Sequence, residues 1–98
     1  MYIVRTSIDN KDAARLMAQA LITTRSAVSV HITEVESIHY WDNRMDNMTE
    51  YEVNALCEDL IKTKEIIEQY HTYELPEFIY YEIKSSKEIE KWCKDWCK

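Results

Sequence analysis

SAVSVHITEVESIHYW, residues 26–41, alternates apolar and polar side chains over most of its length. Strict alternation is typical of a β-strand with one buried face. The apolar positions change phase near Thr33 and Glu34. Before this slip they are Val28, Val30 and Ile32, and after it they are Val35 and Ile38. A slip of this kind predicts a bulge or bend at that point in a single long strand.

A turn and a second strand follow this segment. DNRMDNM, residues 42–48, is rich in Asp and Asn, which favour chain reversals. We expect them to take the turn positions because the chain contains no glycine. TEYEVNAL, residues 49–56, then puts Tyr51 and Val53 on one face and two glutamates on the other. The two strands form a long predicted hairpin whose overhanging edge must be paired, and another subunit would pair it economically.

The flanking segments supply two more strands and three helices. In chain order, the patterns predict a strand at Tyr2–Ile8, a helix begun by Asp9 and Asp12, the hairpin, a helix at 58–70, a strand at 78–83, and a terminal helix begun by Ser85, Ser86 and Glu88. The apolar stripes are Ala13, Leu16, Met17, Ala20 and Leu21 on the first helix, and Ile89, Trp92, Cys93, Trp96 and Cys97 on the last.

This order of elements, β-α-β-β-α-β followed by one helix, predicts an α+β fold. It is the ferredoxin-like split βαβ sandwich, in which two helices cover one face of an antiparallel sheet. No linker or repeat interrupts the pattern. We therefore expect residues 1–98 to form a single domain.

The charge of the chain favours some partners over others. The formal net charge is −6 at pH 7, and no run of basic residues is present. A negative surface repels phosphate backbones and anionic lipid headgroups, whereas it attracts cations. We therefore expect no nucleic acid and no membrane as a partner, while an unidentified protein partner stays open.

Cysteine and glycine usage exclude further classes of protein. The three cysteines are odd in number and are not spaced as a disulfide framework, which favours a reducing compartment. No apolar run approaches the ~20 residues of a membrane span, and MYIVRTSIDN lacks the pattern of a signal peptide. We expect a cytoplasmic protein. Glycine-rich nucleotide loops are excluded because the chain has no glycine.

HTYELPEF, residues 71–78, concentrates candidate ligands between a predicted helix and a predicted strand. Pro76 favours an extended backbone before it, so the helix ends upstream. His71 and Glu74 offer an imidazole and a carboxylate, which suit borderline divalent cations. In the alternative interpretation, His71 binds the final carbonyls of the helix, and Tyr73 and Glu74 form hydrogen bonds across a subunit cleft.

WCKDWCK, residues 92–98, invites a metal or redox interpretation. On a helix, the Cβ atoms of Cys93 and Cys97 would be ~5–6 Å apart, beyond the ~3.8 Å typical of a disulfide. Two thiolates at this spacing can share a metal ion. With Trp92 and Trp96 beside them, they more often form an apolar face packed on the sheet. Cys57 is expected to be a small buried apolar residue.

No motif places a nucleophile beside a base. Cys57 and His71 supply a thiol and an imidazole, but they belong to no local catalytic motif. A solvated surface accounts for the carboxylates. We therefore expect a protein that is not an enzyme.

Two segments resemble the CutA family of divalent-cation-tolerance proteins. HTYELPEF is similar to the family's His-Pro-Tyr-Glu-x-Pro-Glu segment, and ESIHYW, residues 36–41, is similar to its Ser-x-Tyr-x-Trp strand. The spacing between the two fits without a gap, and the predicted order of elements matches over essentially the whole chain. The resemblance implies a ferredoxin-like subunit in a tight homotrimer whose long hairpins exchange strand contacts.

The same resemblance implies a response to divalent or soft metal ions such as copper. The cofactor it implies is a divalent metal ion, Cu or Zn, bound by His71, Glu74 and His39 at the inter-subunit cleft. The other side chains that would line this cleft are Tyr40, Trp41, Tyr73 and Pro76. The alternative is a PII-like trimeric signalling or scaffold module, which binds a small ligand at the inter-subunit clefts.

The chain also departs from the family pattern. Val28 and Val30 stand where the family commonly has cysteine and asparagine, Thr33 stands where its proline usually follows, and Asn54 replaces a common lysine. Thr72 replaces the proline after the histidine. The missing strand cysteine removes the softest ligand and argues against strong copper binding. These departures affect the predicted trimerisation less than they affect the predicted metal binding.

Overall fold

The computed structural model describes residues 1–98 as four strands and three helices. In chain order they are β1 (Tyr2–Ile8), α1 (Lys11–Thr23), β2 (Ala27–Trp41), β3 (Arg44–Cys57), α2 (Leu60–Tyr70), β4 (Ile79–Glu82) and α3 (Lys87–Trp96). The strands form one sheet in the order β2-β3-β1-β4, and every neighbouring pair is antiparallel. The predicted α+β, ferredoxin-like split βαβ fold is confirmed.

The core lies between the helices and one face of the sheet. Alternate residues of β1 and β3 supply the sheet side, including Val4, Ile8 and Val53, which are at most 1% exposed. From α1, Met17 and Leu21 are fully buried. The predicted stripe of α1 is confirmed at Met17, Ala20 and Leu21, but Leu16 is 56% exposed and Ala14 is buried in its place.

β2 changes its buried face without a bulge at the predicted place. Val30 and Ile32 lie opposite Ala55 and Val53 and therefore face the helices, whereas Val35 lies opposite Glu50 and faces away from them. Pairing is regular through Thr33 and Glu34, so the predicted bulge there is wrong. The slip in the sequence marks the point where the helices end and the opposite face of the strand becomes covered.

The one irregularity of β2 is near its start. Ala27 pairs with Cys57 and Ser29 pairs with Leu56, which leaves Val28 without a partner on β3. An extra residue on one strand is the defining feature of a β-bulge. It places the regular alternation of β2 in register with β3 from Ser29 onward.

The turn of the hairpin consists of two residues, whereas the sequence analysis predicted a turn of seven, residues 42–48. Asp42 and Asn43 both have positive φ, 53° and 62°, as in two-residue turns whose twist matches that of the strands they join. Asp and Asn tolerate this region better than other non-glycine residues. The predicted reversal at Asp46 and Asn47 is wrong, because β3 already begins at Arg44.

Each helix begins at a side chain that accepts a hydrogen bond from the first turn. The N-cap residues are Asn10, Asp59 and Ser86. The oxygen of Asn10 accepts from the N–H of Ala13 at 2.9 Å, so Asn10, and not Asp9, starts α1. Asp59 likewise starts α2 after residue 58, and the cap predicted for α3 is confirmed at Ser86.

α3 packs beside the start of β2. Cys93 is fully buried, and Trp96 donates from Nε1 to the carbonyl of Ala27 at 3.0 Å. Trp92, which was predicted on the same apolar face, is 49% exposed because it projects from the side of the helix. A membrane-crossing helix would have to be longer and more apolar than any helix of this fold.

The tip of the hairpin extends beyond the rest of the sheet. β1 stops pairing with β3 at Ile8 and Tyr51, while β2 and β3 remain paired out to Trp41 and Arg44. We call residues 35–50 the arm. Large apolar side chains on the arm are solvent-exposed, namely Ile38, Tyr40, Trp41 and Met45. The arm thus gives the subunit a longest dimension of 45 Å.

Candidate functional site

Two neighbouring cavities lie where the arm meets the segment that joins α2 to β4. The large cavity has a volume of about 710 Å³ and is lined by residues that include Arg5, Glu50, Glu52 and Pro76. The small cavity has a volume of about 240 Å³ and is lined by residues that include Asp9, Asp46, Met48 and Glu74. Side chains common to both walls are His39, Trp41, Tyr73 and Leu75.

His71 anchors this segment at the end of α2. Its N–H donates to the carbonyl of Ile67 at 2.8 Å, and its extended ψ of 141° turns the chain away from the helix axis. The ring reaches back to β1, where Nε2 lies 2.9 Å from the carbonyl oxygen of Ser7 and 3.1 Å from Oγ1 of Thr6. The imidazole does not make the predicted contact with the final carbonyls of α2, because it is directed at the sheet, and only the backbone N–H of His71 reaches one of them.

Both ring nitrogens of His71 are engaged. Nδ1 lies 3.1 Å from the backbone nitrogen of Tyr73 and accepts its hydrogen, so Nε2 carries the ring proton and donates to Ser7. Burial lowers the pKa of His71, although the backbone of Ser7 and the nearby Glu50 act in the opposite direction. The neutral ring therefore holds the segment in place and offers no free lone pair to a metal ion.

We expect His71 to make the stability of the fold depend on pH. Its folded pKa lies below the usual value of 6.5, so the unfolded chain binds a proton first as the pH falls. The contribution of the neutral ring is present above pH ~6.5 and is lost as the pH falls through the folded pKa. Urea unfolding should show that the free energy of unfolding changes less between pH 7.5 and pH 5.5 in His71→Asn than in the unmodified chain.

His31 offers the control for this measurement because its side chain is exposed on β2. His31→Asn should keep the full difference in stability between pH 7.5 and pH 5.5. An unchanged difference in His71→Asn would contradict the assignment of a neutral, half-buried His71.

Tyr73 connects the same segment to the arm. Its hydroxyl donates to Oε2 of Glu50 at 2.5 Å. Burial, together with the hydrogen bond to Glu50 and its charge, raises the pKa of Tyr73. The phenol therefore stays protonated and keeps donating. The hydrogen bond of Tyr73 was predicted across a subunit cleft, whereas it forms within one chain because Tyr73 folds over the face of β3.

The structure brings together only part of the predicted metal site. His39 and Glu74 line the small cavity, but His71 does not. Nδ1 of His39 lies 3.1 Å from Oγ of Ser37, which leaves Nε2 free, and Glu74 is exposed. No group of three or more His, Cys, Asp or Glu side chains is already arranged to hold a metal ion.

Only some of the side chains predicted to line the inter-subunit cleft lie at a cavity in the structure. Trp41, Tyr73 and Pro76 line the large cavity. Tyr40 lies on the opposite face of the arm, where it is 71% exposed and its hydroxyl donates to Asn43 at 2.9 Å. Because side chains alternate along a strand, His39 and Trp41 share one face of the arm and Tyr40 lies on the other, so Tyr40 does not line the cavity, contrary to the prediction.

Sequence reasoning missed seven charged residues of these cavities, namely Arg5, Asp9, Glu36, Asp46, Glu50, Glu52 and Glu77. Asp9 was assigned to the start of a helix and Asp46 to a turn, and Arg5 and Glu50 were assigned no role beyond their strands. Asp46 pairs directly with His39 across the hairpin, so a two-residue turn at Asp42 and Asn43 would have placed it in the small cavity. The signal for Asp46 was thus present in the sequence.

The three thiols are separate from both cavities. All three cysteines are free, and Cys57 and Cys93 are buried. Burial raises the pKa of Cys57, and it raises the pKa of Cys93 to about 12. These directions disfavour thiolate and agree with the expectation that Cys57 and Cys93 fill apolar space.

A family comparison agrees with this fold. The sequence profile of the family described as CutA1 divalent ion tolerance protein matches residues 2–96. The chain belongs to this family. No curated protein sequence matches it.

Solved structures of CutA1 proteins superimpose on the chain over nearly its whole length. CutA1 from a psychrotrophic Shewanella species has 30% sequence identity and a TM-score of 0.91, with 97% of this chain and 92% of that one covered. A protein from a Nostoc species, described as PII-like CutA in apo form, has 23% identity, a TM-score of 0.93, and 100% and 98% coverage. A protein from Archaeoglobus fulgidus, described as periplasmic divalent cation tolerance protein CutA, has 19% identity, a TM-score of 0.93, and 100% coverage of both chains. The last two likenesses show the fold alone.

Proposed function

We propose that this CutA1-family chain is a homotrimeric protein that binds a divalent metal ion in its small cavity and contributes to tolerance of such ions. The observation that carries the proposal is the convergence of His39 and Glu74 with Asp9 and Asp46 on one cavity of about 240 Å³. The family is described by divalent ion tolerance, which supports the same function.

The chemistry of these side chains suits borderline cations. Imidazole nitrogen and carboxylate oxygen are ligands of Zn(II) and Cu(II). Nε2 of His39 is free to coordinate, and the exposed Glu74 can change rotamer at little cost to the fold. The net charge of −6 also favours cations at the surface. The proposed ligand set therefore keeps His39 and Glu74 and replaces His71 with Asp9 and Asp46.

The arm supports the trimer. Its apolar side chains are exposed in one subunit, with Tyr40 at 71% and Met45 at 77%. β2 and β4 are the edges of the sheet, so their outer backbone groups have no partner strand. A long edge that carries exposed apolar residues is a template for pairing with another chain. We place this assembly in the cytoplasm, which the three free thiols support.

The large cavity favours a second candidate function, that of a PII-like ligand-binding module. Arg5 lines this cavity, and its buried Nε has no hydrogen-bond partner. Buried donors are nearly always paired, so a ligand acceptor would complete this one. The Nostoc relative is described as PII-like, which supports the same candidate. Neither function includes a catalytic step.

Metal titration of the metal-stripped protein tests the first function. We expect native mass spectrometry and calorimetry with Zn(II) and Cu(II) to show one specific ion per chain. The double variant His39→Asn/Glu74→Gln should weaken Zn(II) binding by at least about tenfold, or ~1.4 kcal/mol, because it removes two ligands.

His31→Asn is the matched control, since it removes an exposed imidazole of β2 that does not line the small cavity. Its affinity for Zn(II) should equal that of the unmodified chain. Zn(II) binding that survives the double variant, or that is lost equally in His31→Asn, would refute the small cavity as the metal site.

A further inference from the structure

Two thiols meet at the C-terminal end of α3. Cys93 is fully buried, and Cys97 follows it one helical turn later, at the residue that ends the helix. The N–H of Cys97 donates to the carbonyl of Cys93 at 2.9 Å, so the helical geometry holds up to this residue. The thiol of Cys93 is hydrogen-bonded to that of Cys97, and Sγ of Cys97 lies 3.7 Å from the carbonyl oxygen of Ser26. The two sulfur atoms are therefore neighbours in the folded chain.

This pair of thiols is enclosed by its own chain, away from the arm. Trp96 donates to the carbonyl of Ala27, and Ala27 pairs with Cys57 at the end of β3, so α3 covers the start of β2. Cys93 has no exposed surface in a single chain, and its burial therefore does not depend on contact with other subunits. Cys97 is half-buried and gives an ion access to the pair. Neither thiol lines the large or the small cavity.

The spacing of the two cysteines suits a bridging metal ion better than a disulfide. Residues four apart on a helix have Cβ atoms ~5–6 Å apart, whereas a disulfide requires ~3.8 Å. An ion bonded to both sulfur atoms at ~2.3 Å spans the wider gap. Burial also raises the pKa of both thiols, that of Cys93 to about 12, which disfavours the thiolate that an oxidant attacks. A redox role is therefore the weaker interpretation of this pair.

The number and type of ligands select the kind of ion. No group of three or more His, Cys, Asp or Glu side chains is arranged to hold a metal, so the pair supplies two ligands. Structural Zn(II) sites take four ligands, and Ca(II) and Mg(II) prefer oxygen. Soft thiolates instead select Cu(I), which, like Ag(I), is stable with two sulfur ligands in a line. The pair therefore suits a soft monovalent cation.

Lys62 is placed to offset the charge of such a complex. Two thiolates and one monovalent ion carry a net charge of minus one, because both thiol protons leave when the ion binds. Nζ of Lys62 lies 2.9 Å from the backbone oxygen of Lys98, the residue that follows Cys97. Burial raises the pKa of Cys97, whereas the hydrogen bond from Cys93 and the charge of Lys62 act in the opposite direction. Both of these groups favour a thiolate at Cys97.

We propose that Cys93 and Cys97 bind one soft monovalent cation of the Cu(I) or Ag(I) type between their sulfur atoms. The ion bonds to Sγ of each residue, and the two displaced protons pass to solvent. This site goes beyond the proposed divalent-ion site, because it uses different residues, a different ligand chemistry and a different part of the fold.

The test uses Cu(I) as the probe, under nitrogen with ascorbate as the reductant. Competition with the coloured Cu(I) chelator bicinchoninate should show one tightly bound ion per chain in otherwise metal-free protein. X-ray absorption at the copper edge should then show two sulfur neighbours around the bound ion. Nitrogen or oxygen neighbours in place of the two sulfurs would overturn the proposal without the need for a variant.

Cys97→Ser removes one ligand and keeps a hydroxyl that can donate to Ser26, so the fold should be retained, which thermal unfolding checks. Its affinity for Cu(I) should fall by at least about hundredfold, since loss of an outer-shell partner alone costs ~10–100-fold. Cys57→Ser is the matched control, because it makes the same change at the third thiol and keeps a partner for Thr63. Full affinity in Cys97→Ser, or an equal loss in Cys57→Ser, would overturn the proposal.

Zn(II) distinguishes this site from the small cavity. Cys97→Ser should bind Zn(II) as tightly as the unmodified chain does, because Cys97 does not line the small cavity. A Zn(II) affinity that falls together with the Cu(I) affinity would show a single shared site and would overturn the separate two-thiol site.

Discussion

Glutamate at positions 40 and 45 of the arm is expected to convert the assembled protein into monomers. Tyr40 and Met45 lie directly opposite each other at the tip of the hairpin and are 71% and 77% exposed in one subunit. In a trimer built through the arm, the double variant Tyr40→Glu/Met45→Glu would bury unpaired charges, each costing several kcal/mol. In a monomer the same changes would cost little, because both side chains are largely exposed and only the hydrogen bond from Tyr40 to Asn43 would be lost. Sedimentation should show a fall from three times 11.8 kDa to 11.8 kDa.

Ile61→Glu provides the control for this change. Ile61 is 74% exposed on α2, away from the arm, so its replacement also adds charge at an exposed apolar position. This variant should stay trimeric. A monomeric unmodified protein, or a double variant that stays trimeric, would contradict assembly through the arm.

Replacement of Leu21 by alanine is expected to lower the free energy of unfolding by about 3 kcal/mol, because a fully buried leucine leaves a cavity when it is truncated. Leu21 has no exposed surface, and it packs in the core cluster beneath the sheet. The measurement is urea unfolding of the variant and the unmodified chain at equal protein concentration.

Leu16→Ala is the matched control on the same helix. The side chain is 56% exposed, so its truncation should change the free energy of unfolding by no more than about 0.5 kcal/mol. Equal losses for the two variants would show that α1 presents a different face to the sheet.

Local patterns were sufficient for most elements of the fold. β1 was predicted with its observed bounds, because YIVRTSI is a short β-branched run followed by a turn signal. Ser86 was found as a cap of α3 because side chains that start helices lie next to the helix they start. The hairpin was found as well, although its turn was placed over seven residues, since Asp and Asn also occur within β3.

Predictions that depended on contacts far apart in the chain were less accurate. His71 was assigned to its own helix, yet its ring contacts Ser7, 64 positions away. Nothing near residue 71 signals that partner. Likewise, Glu50 was assigned to a solvated surface, yet it is buried and accepts a hydrogen bond from Tyr73, 23 positions away.

The phase slip in β2 shows how a correct observation led to a wrong structure. A change of apolar phase has two physical causes, a bulge that shifts the strand or a change in which face is covered. Val35 faces Glu50 and the large cavity, while Ile32 faces the side of the helices, with regular pairing between them. Only the three-dimensional extent of the helices distinguishes the two causes.

Anomalous diffraction from crystals grown with Zn(II) would test the central claim most directly. We predict a zinc peak in the small cavity at ~2.0–2.2 Å from Nε2 of His39 and from a carboxylate oxygen of Glu74. A peak on His71 or on the thiols of α3, with none in the small cavity, would contradict the proposed metal site.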